Sequence, residues 1–120
     1  VKESEIQKTI LLYLKARGIL HWRCSLGGVR LAAGKVGRNP MKGFPDIAGL
    51  YCKKFFAIEV KTKTGKLSEE QKAWVDRLQG QGVTCVIARS LDDVIEAMRA
   101  IEEVSENEIR HRTKEKDIPS

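Results

Sequence analysis

Cysteine and histidine are scarce in this chain, with three of the first and two of the second in 120 residues. Cys24, Cys52 and Cys85 stand singly in apolar or strand-like stretches, without CxxC spacing. His21 and His111 are too few to complete a four-ligand set, so a structural zinc centre is not expected and buried, reduced thiols are. Long hydrophobic runs are also missing: none approaches the ~20 residues needed to cross a bilayer. The opening Val1-Lys2-Glu3-Ser4-Glu5 has neither the basic nor the apolar region of a secretory leader, which gives a cytoplasmic address as the expectation. No internal repeat is apparent. An acidic excess is lacking as well, with 22 Lys+Arg against 16 Asp+Glu, a net charge of +6 and a pI near 9.4. A polyanionic partner such as nucleic acid suits that balance, although charge alone is a weak warrant.

What is present fits one domain with one core: 42% hydrophobic and 32% charged residues over a length too short for two cores. Ile6, Ile10, Tyr13 and Leu14 recur at helical spacing and predict a first helix from about Glu3 to Arg17, ended by Gly18. On that helix Glu3 projects toward the apolar side and Glu5 away from it. Leu20 to Cys24 reads as a short strand. Ser25 to Phe44 carries five glycines with Arg30, Lys35, Arg38 and Lys42, which predicts an exposed loop whose cations contact phosphate.

Asp46 to Tyr51 and Lys54 to Thr62 read as an antiparallel hairpin turning near Cys52-Lys53. In the second of these strands, both faces are apolar at the start, which predicts a central strand that meets solvent only near its end. Lys63-Thr64-Gly65-Lys66 is a turn, and its Lys63 is a further candidate DNA contact. Ser68-Glu69-Glu70-Gln71 has the form of a capping box. It opens a helix that turns Gln71, Trp74, Val75 and Leu78 to one side and stops at Gly80 and Gly82. Val83 to Ala88 is a fourth strand. A last helix begins at Ser90 or Asp92 and faces Val94, Ile95, Met98 and Ile101 inward. Residues 1–103 make up the expected domain, and 104–120 a charged, solvated extension. The order α-β-β-β-α-β-α predicts an α/β fold with a mixed central sheet flanked by helices.

The chemistry resides in Gly43-Phe44-Pro45-Asp46 and Phe56-Ala57-Ile58-Glu59-Val60-Lys61. Asp46 begins one strand and Glu59 comes late in the next, and in an antiparallel hairpin those ends lie side by side. Two carboxylates with a lysine are the parts that hold a divalent cation beside a phosphate. Lys61 lies two residues beyond Glu59, roughly 7 Å along the same face, where its ammonium can orient a nucleophile or stabilise developing charge. The Val60 carbonyl is a candidate further ligand. Glu3 and Gln71, turned inward from flanking helices, are candidates to support the site or hold a second metal.

Three further segments accompany the first: Ile58-Glu59-Val60-Lys61, Gly65-Lys66-Leu67-Ser68-Glu69-Glu70-Gln71 and the opening Glu3-Ser4-Glu5-Ile6. Together with Gly43 to Ile47, they resemble the VRR-NUC domain (virus-type replication-repair nuclease) of the PD-(D/E)xK nuclease superfamily. The resemblance spans about Glu3 to Met98. It implies a restriction-endonuclease-like PD-(D/E)xK fold and Mg²⁺- or Mn²⁺-dependent DNA cleavage. Asp46, Glu59 and Lys61 would be the catalytic trio, with Glu3 and Gln71 in supporting positions. It further implies a compact phage-type nuclease, acting in phage or bacterial host cytoplasm. Such a protein would pair as a homodimer to cut branched DNA such as Holliday junctions. Two alternatives stay open: a non-catalytic module that binds branched DNA, and a restriction-like nuclease of duplex DNA.

Overall fold

A computed structural model describes residues 1–24 and 40–117 of the chain. The elements run α1 (Glu3–Ala16), β1 (Leu20–Arg23), β2 (Ile47–Tyr51), β3 (Lys54–Val60), α2 (Glu69–Gly80), β4 (Thr84–Ala88) and α3 (Leu91–Asp117). The four strands lie in sequence order. β1–β2 and β2–β3 are antiparallel, and β3–β4 is parallel, so the sheet is mixed as the sequence predicts. No helix among the described residues is long and apolar enough to cross a membrane.

Each boundary has a local cause. α1 opens with Glu3 and Glu5 in its first turn, where carboxylates favour the positive end of the helix dipole. It closes at Gly18, whose φ of 65° is open to glycine at no steric cost. The β2–β3 hairpin turns through Cys52 and Lys53 at φ 51° and 65°, the left-handed pair a two-residue hairpin demands. α2 carries the predicted capping box: the Gln71 N–H donates to Ser68 Oγ, and the Ser68 N–H to Gln71 Oε1.

One face of the sheet is covered by α1 and α3. Ile6, Ile10 and Leu14 from α1 and Val94, Met98 and Ile101 from α3 close over Ile47, Phe56, Ile58 and Val60. Burial of each such side chain stabilises the fold by about 1.5–3 kcal/mol. Gly49 lets the hairpin sit tight beneath this layer, because a Cβ there would collide with the Leu20 carbonyl and the Phe56 ring. α2 lies over the opposite face, the one that carries Ala57 and Glu59.

Two expectations change. β3 is half-buried at Lys54 and Phe55, fully buried from Phe56 to Val60, and half-buried again at Lys61 and Thr62 just beyond it, so this central strand meets solvent at its start as well as near its end. Helices close over both faces near that end, so Glu59 is buried with only 3% of its surface exposed. Second, α3 runs on without a break through position 103 and spans 27 residues, about 40 Å at helical rise. Its second half is solvated but helical, and Glu108 there pairs with Lys54 of β3 at 2.9 Å. Upstream, Arg17 donates to Glu102 at 2.9 Å and to the Tyr51 hydroxyl at 3.2 Å, and Tyr51 donates to the same Glu102 oxygen. That cluster fastens α1, β2 and α3 together at the end of the sheet away from Glu59.

Candidate active site

Backbone register builds the site. Ile47 pairs with Ile58, so Asp46, the residue just before β2, falls opposite Glu59. The Cys24 N–H donates to the Asp46 carbonyl at 2.7 Å and fixes that backbone from the β1 side. From the other side, the Val60 N–H donates to Asp46 Oδ2 at 2.8 Å.

The approach to Asp46 is held against α2. Trp74 Nε1 donates to the Lys42 carbonyl at 3.0 Å, and the Phe44 and Trp74 rings meet edge to face at 5.1 Å. Gly43 adopts φ 87°, and a Cβ there would sit 2.6–2.8 Å from the backbone and Cβ of Glu70 and the nitrogen of Gln71. Only a glycine lets this loop lie so close to the first turn of α2. Pro45 is buried just beyond it.

Glu59 comes from the buried end of β3. Its Oε1 accepts from Gln71 Nε2 at 2.6 Å, whereas its Oε2 is buried without a hydrogen-bond partner among the described residues. Burial, with the Asp46 carboxylate close by, pushes its pKa up to about 8. The Asp46 pKa is raised as well, chiefly by burial, against the lowering effect of the Val60 N–H. Two carboxylates that resist ionisation side by side, one with an orphaned buried oxygen, are the donors a hard cation satisfies. The residues present therefore fit a divalent ion held by few carboxylates, with water and phosphate oxygens filling its shell.

Lys61 is mostly buried along its side chain and favours the charged forms of both acids. Its Nζ lies 3.8 Å from Glu3 Oε1, at the start of α1. Glu3 is half exposed and turns to Lys61 rather than into the apolar core. Among the described residues, no three His, Cys, Asp or Glu side chains form a metal-holding group. Glu3 meets Lys61, and its own charge also reaches the acid pair, raising the pKa of both Asp46 and Glu59. The Val60 side chain packs in the core, as its place in the strand predicts.

The candidate phosphate contacts divide. Arg30, Lys35 and Arg38 lie outside the described residues. Lys42 is exposed and pairs with Glu70 at 3.5 Å. Lys63 lines a cavity of about 650 Å³ between the start of α1, the turn after Lys61 and the start of α3; Asp46 and Glu59 do not line it. Arg23, on the short strand β1, is not among the sequence candidates, yet its charge reaches Asp46 and lowers its pKa. Its signal was weak, a single cation in a four-residue edge strand.

An acid lies opposite the strand that carries Glu-x-Lys, and a helix glutamine is bonded to the glutamate, the arrangement that the resemblance to the PD-(D/E)xK nucleases leads one to expect. The VRR-NUC domain family matches residues 30–92, a span that includes Asp46, Glu59, Lys61 and Gln71. The chain belongs to that family and through it to the PD-(D/E)xK nucleases. No curated protein matches the chain.

Proposed function

We propose that this nuclease is a Mg²⁺- or Mn²⁺-dependent endodeoxyribonuclease that cuts branched DNA. The observation that carries the reading is the buried Glu59 Oε2, without a partner among the described residues, beside Asp46 and within the field of Lys61. Asp46 and Glu59 would hold the ion, with the Val60 carbonyl as a further ligand. When bound, the ion acidifies water and neutralises charge on the phosphate. Gln71 holds Glu59 in one orientation, because its other amide atom is fixed by the Ser68 N–H. Lys61 presents an ammonium at the place where the attacking oxygen and the phosphate meet, and Glu3 steadies it from outside. Cations on the 30–42 stretch and Lys63 would grip the flanking phosphates.

Junction preference follows from pairing. Leu20 and Trp22 of β1 and Leu50 of β2 are exposed large apolar side chains on one sheet face. A homodimer formed there would set two sites about a two-fold axis, matching a four-way junction. Incubation with four-way-junction and linear DNA in Mg²⁺ or Mn²⁺, and again in EDTA, tests the reading. Metal-dependent cleavage that favours the junction is expected. Binding with no product under any condition would instead indicate a non-catalytic module, and equal cutting of linear duplex a restriction-like enzyme.

A further inference from the structure

We propose that Arg89 is a positioning residue for Lys61 and Gln71, acting through the 62–67 connector; the inference rests on the nuclease reading above. Arg89 follows β4, outside every segment that suggests the chemistry. Its Nη1 donates to the Thr62 carbonyl at 2.6 Å and the Gly65 carbonyl at 2.8 Å, with Lys63 O at 3.3 Å. Charge-assisted bonds of this kind are roughly twice as strong as neutral ones.

The anchor is itself fixed. Its backbone N–H donates to Asp93 Oδ2 in the first turn of α3 at 2.8 Å. The preceding residue, Ala88, accepts from the Lys61 N–H at 3.0 Å and carries the β3–β4 pairing one residue past β3. One short stretch of chain thus holds the Lys61 backbone through a main-chain bond, and the turn beyond it through a guanidinium.

That turn touches Lys61 directly. A Cβ placed on Gly65 would lie 3.5 Å from Lys61 Cδ, so the lysine stem runs along the turn. Within the turn, the Gly65 N–H donates to Thr62 Oγ1 at 3.1 Å and to Thr62 O at 3.2 Å. Beyond it lies Ser68, whose capping box sets the Gln71 amide on Glu59. Arg89 therefore fixes the connector whose two ends carry the ammonium and the carboxamide of the site, without touching either group.

The experiment compares wild type with Arg89→Met, which keeps the stem but removes the donors, and Arg89→Lys, which restores a donor. Steady-state cleavage of junction DNA in Mn²⁺ and amide hydrogen exchange are measured on each. For Arg89→Met, kcat is expected to fall about 10–100-fold with KM within about twofold, the scale of a small misplacement of reacting groups. Exchange should quicken across 61–66 while β4 and α3 stay protected, and Arg89→Lys should recover part of both. An unchanged kcat, or a loss confined to KM, overturns the proposal, the latter by making Arg89 a DNA contact. Unchanged exchange at 61–66 overturns it independently of catalysis. A wild type that does not cleave defeats the nuclease reading instead, and the exchange result still decides whether Arg89 orders the connector.

Discussion

Gln71 Nε2 donates to Glu59 Oε1 at 2.6 Å, a bond between the first turn of α2 and the buried end of β3. The same glutamine closes the capping box through its Oε1 and its backbone N–H. One side chain therefore both caps the helix and orients the glutamate.

Gln71→Ala breaks both functions at once. Loss of the reciprocal cap is expected to cost about 0.5–2 kcal/mol, read as a lower urea midpoint with the slope unchanged. Cleavage should fall more than stability explains, because Glu59 loses the donor that orients it. Gln71→Glu keeps the cap acceptor but places a second carboxylate against Glu59. Its cleavage rate should be no better than that of Gln71→Ala, and a near-wild-type rate would mean that the amide donor on Glu59 is dispensable.

The buried glutamate makes the metal-free fold sensitive to alkali. The folded-state pKa of Glu59, about 8, lies above its ordinary 4.5. Between those values, the native state keeps a proton that the unfolded chain has lost. Stability is then full below pH 4.5 and falls as pH rises toward 8, by an amount on the order of a few kcal/mol. Asp46 is raised in the same direction and adds to the slope. Urea denaturation in EDTA from pH 5 to 9 should show the decline, and Glu59→Gln should flatten it. Mg²⁺ or Mn²⁺ should raise the melting temperature more at pH 9 than at pH 6, since the ion binds the ionised acids. A flat profile in EDTA would show that Glu59 is not held protonated.

The sequence made Asp46, Glu59 and Lys61 legible because strand periodicity and an antiparallel hairpin are local rules. Once the turn lies at Cys52-Lys53, the register that sets Asp46 opposite Glu59 follows. Gln71 was legible for the same reason, through a capping box and helical spacing. The depth of Glu59 was not, since it depends on α2 closing over its face of β3 while α1 and α3 cover the other. Arg89 was invisible, because nothing local marks a surface arginine that bonds carbonyls 24 to 27 positions away. The second half of α3 has the sequence of a charged tail; its polar surface gives little apolar periodicity, and its Glu108–Lys54 bond is long-range.

Gly43 should tolerate no side chain. Its positive φ and the 2.6–2.8 Å approach to Glu70 and Gln71 mean that Gly43→Ala must push the loop off α2. Displacement of the loop would move Pro45 and Asp46 and loosen the Phe44–Trp74 contact. We expect a stability loss on the order of 1–3 kcal/mol and weaker Mn²⁺ binding by calorimetry. Gly18→Ala, at a positive φ with nothing within 4 Å, serves as the control: it should cost stability without altering metal affinity. Equal metal affinity in Gly43→Ala and wild type would separate the loop from the site.

Lys61→Ala separates binding from chemistry. The phosphate grip assigned to the 30–42 stretch and Lys63 does not involve this side chain, so junction affinity should change less than about threefold. The cleavage rate should fall about 10²–10³-fold, the scale seen when a preorganised stabiliser of developing charge is removed. Removal of the ammonium also takes away a charge that favours ionised Asp46 and Glu59, so their pKa values should rise further. The alkaline stability decline in EDTA should therefore steepen, a shift that a lysine serving only to hold DNA would not produce. Gel-shift titration in Ca²⁺, single-turnover cleavage in Mn²⁺ and urea melts at two pH values measure the three effects. Cleavage at the wild-type rate would remove Lys61 from the mechanism.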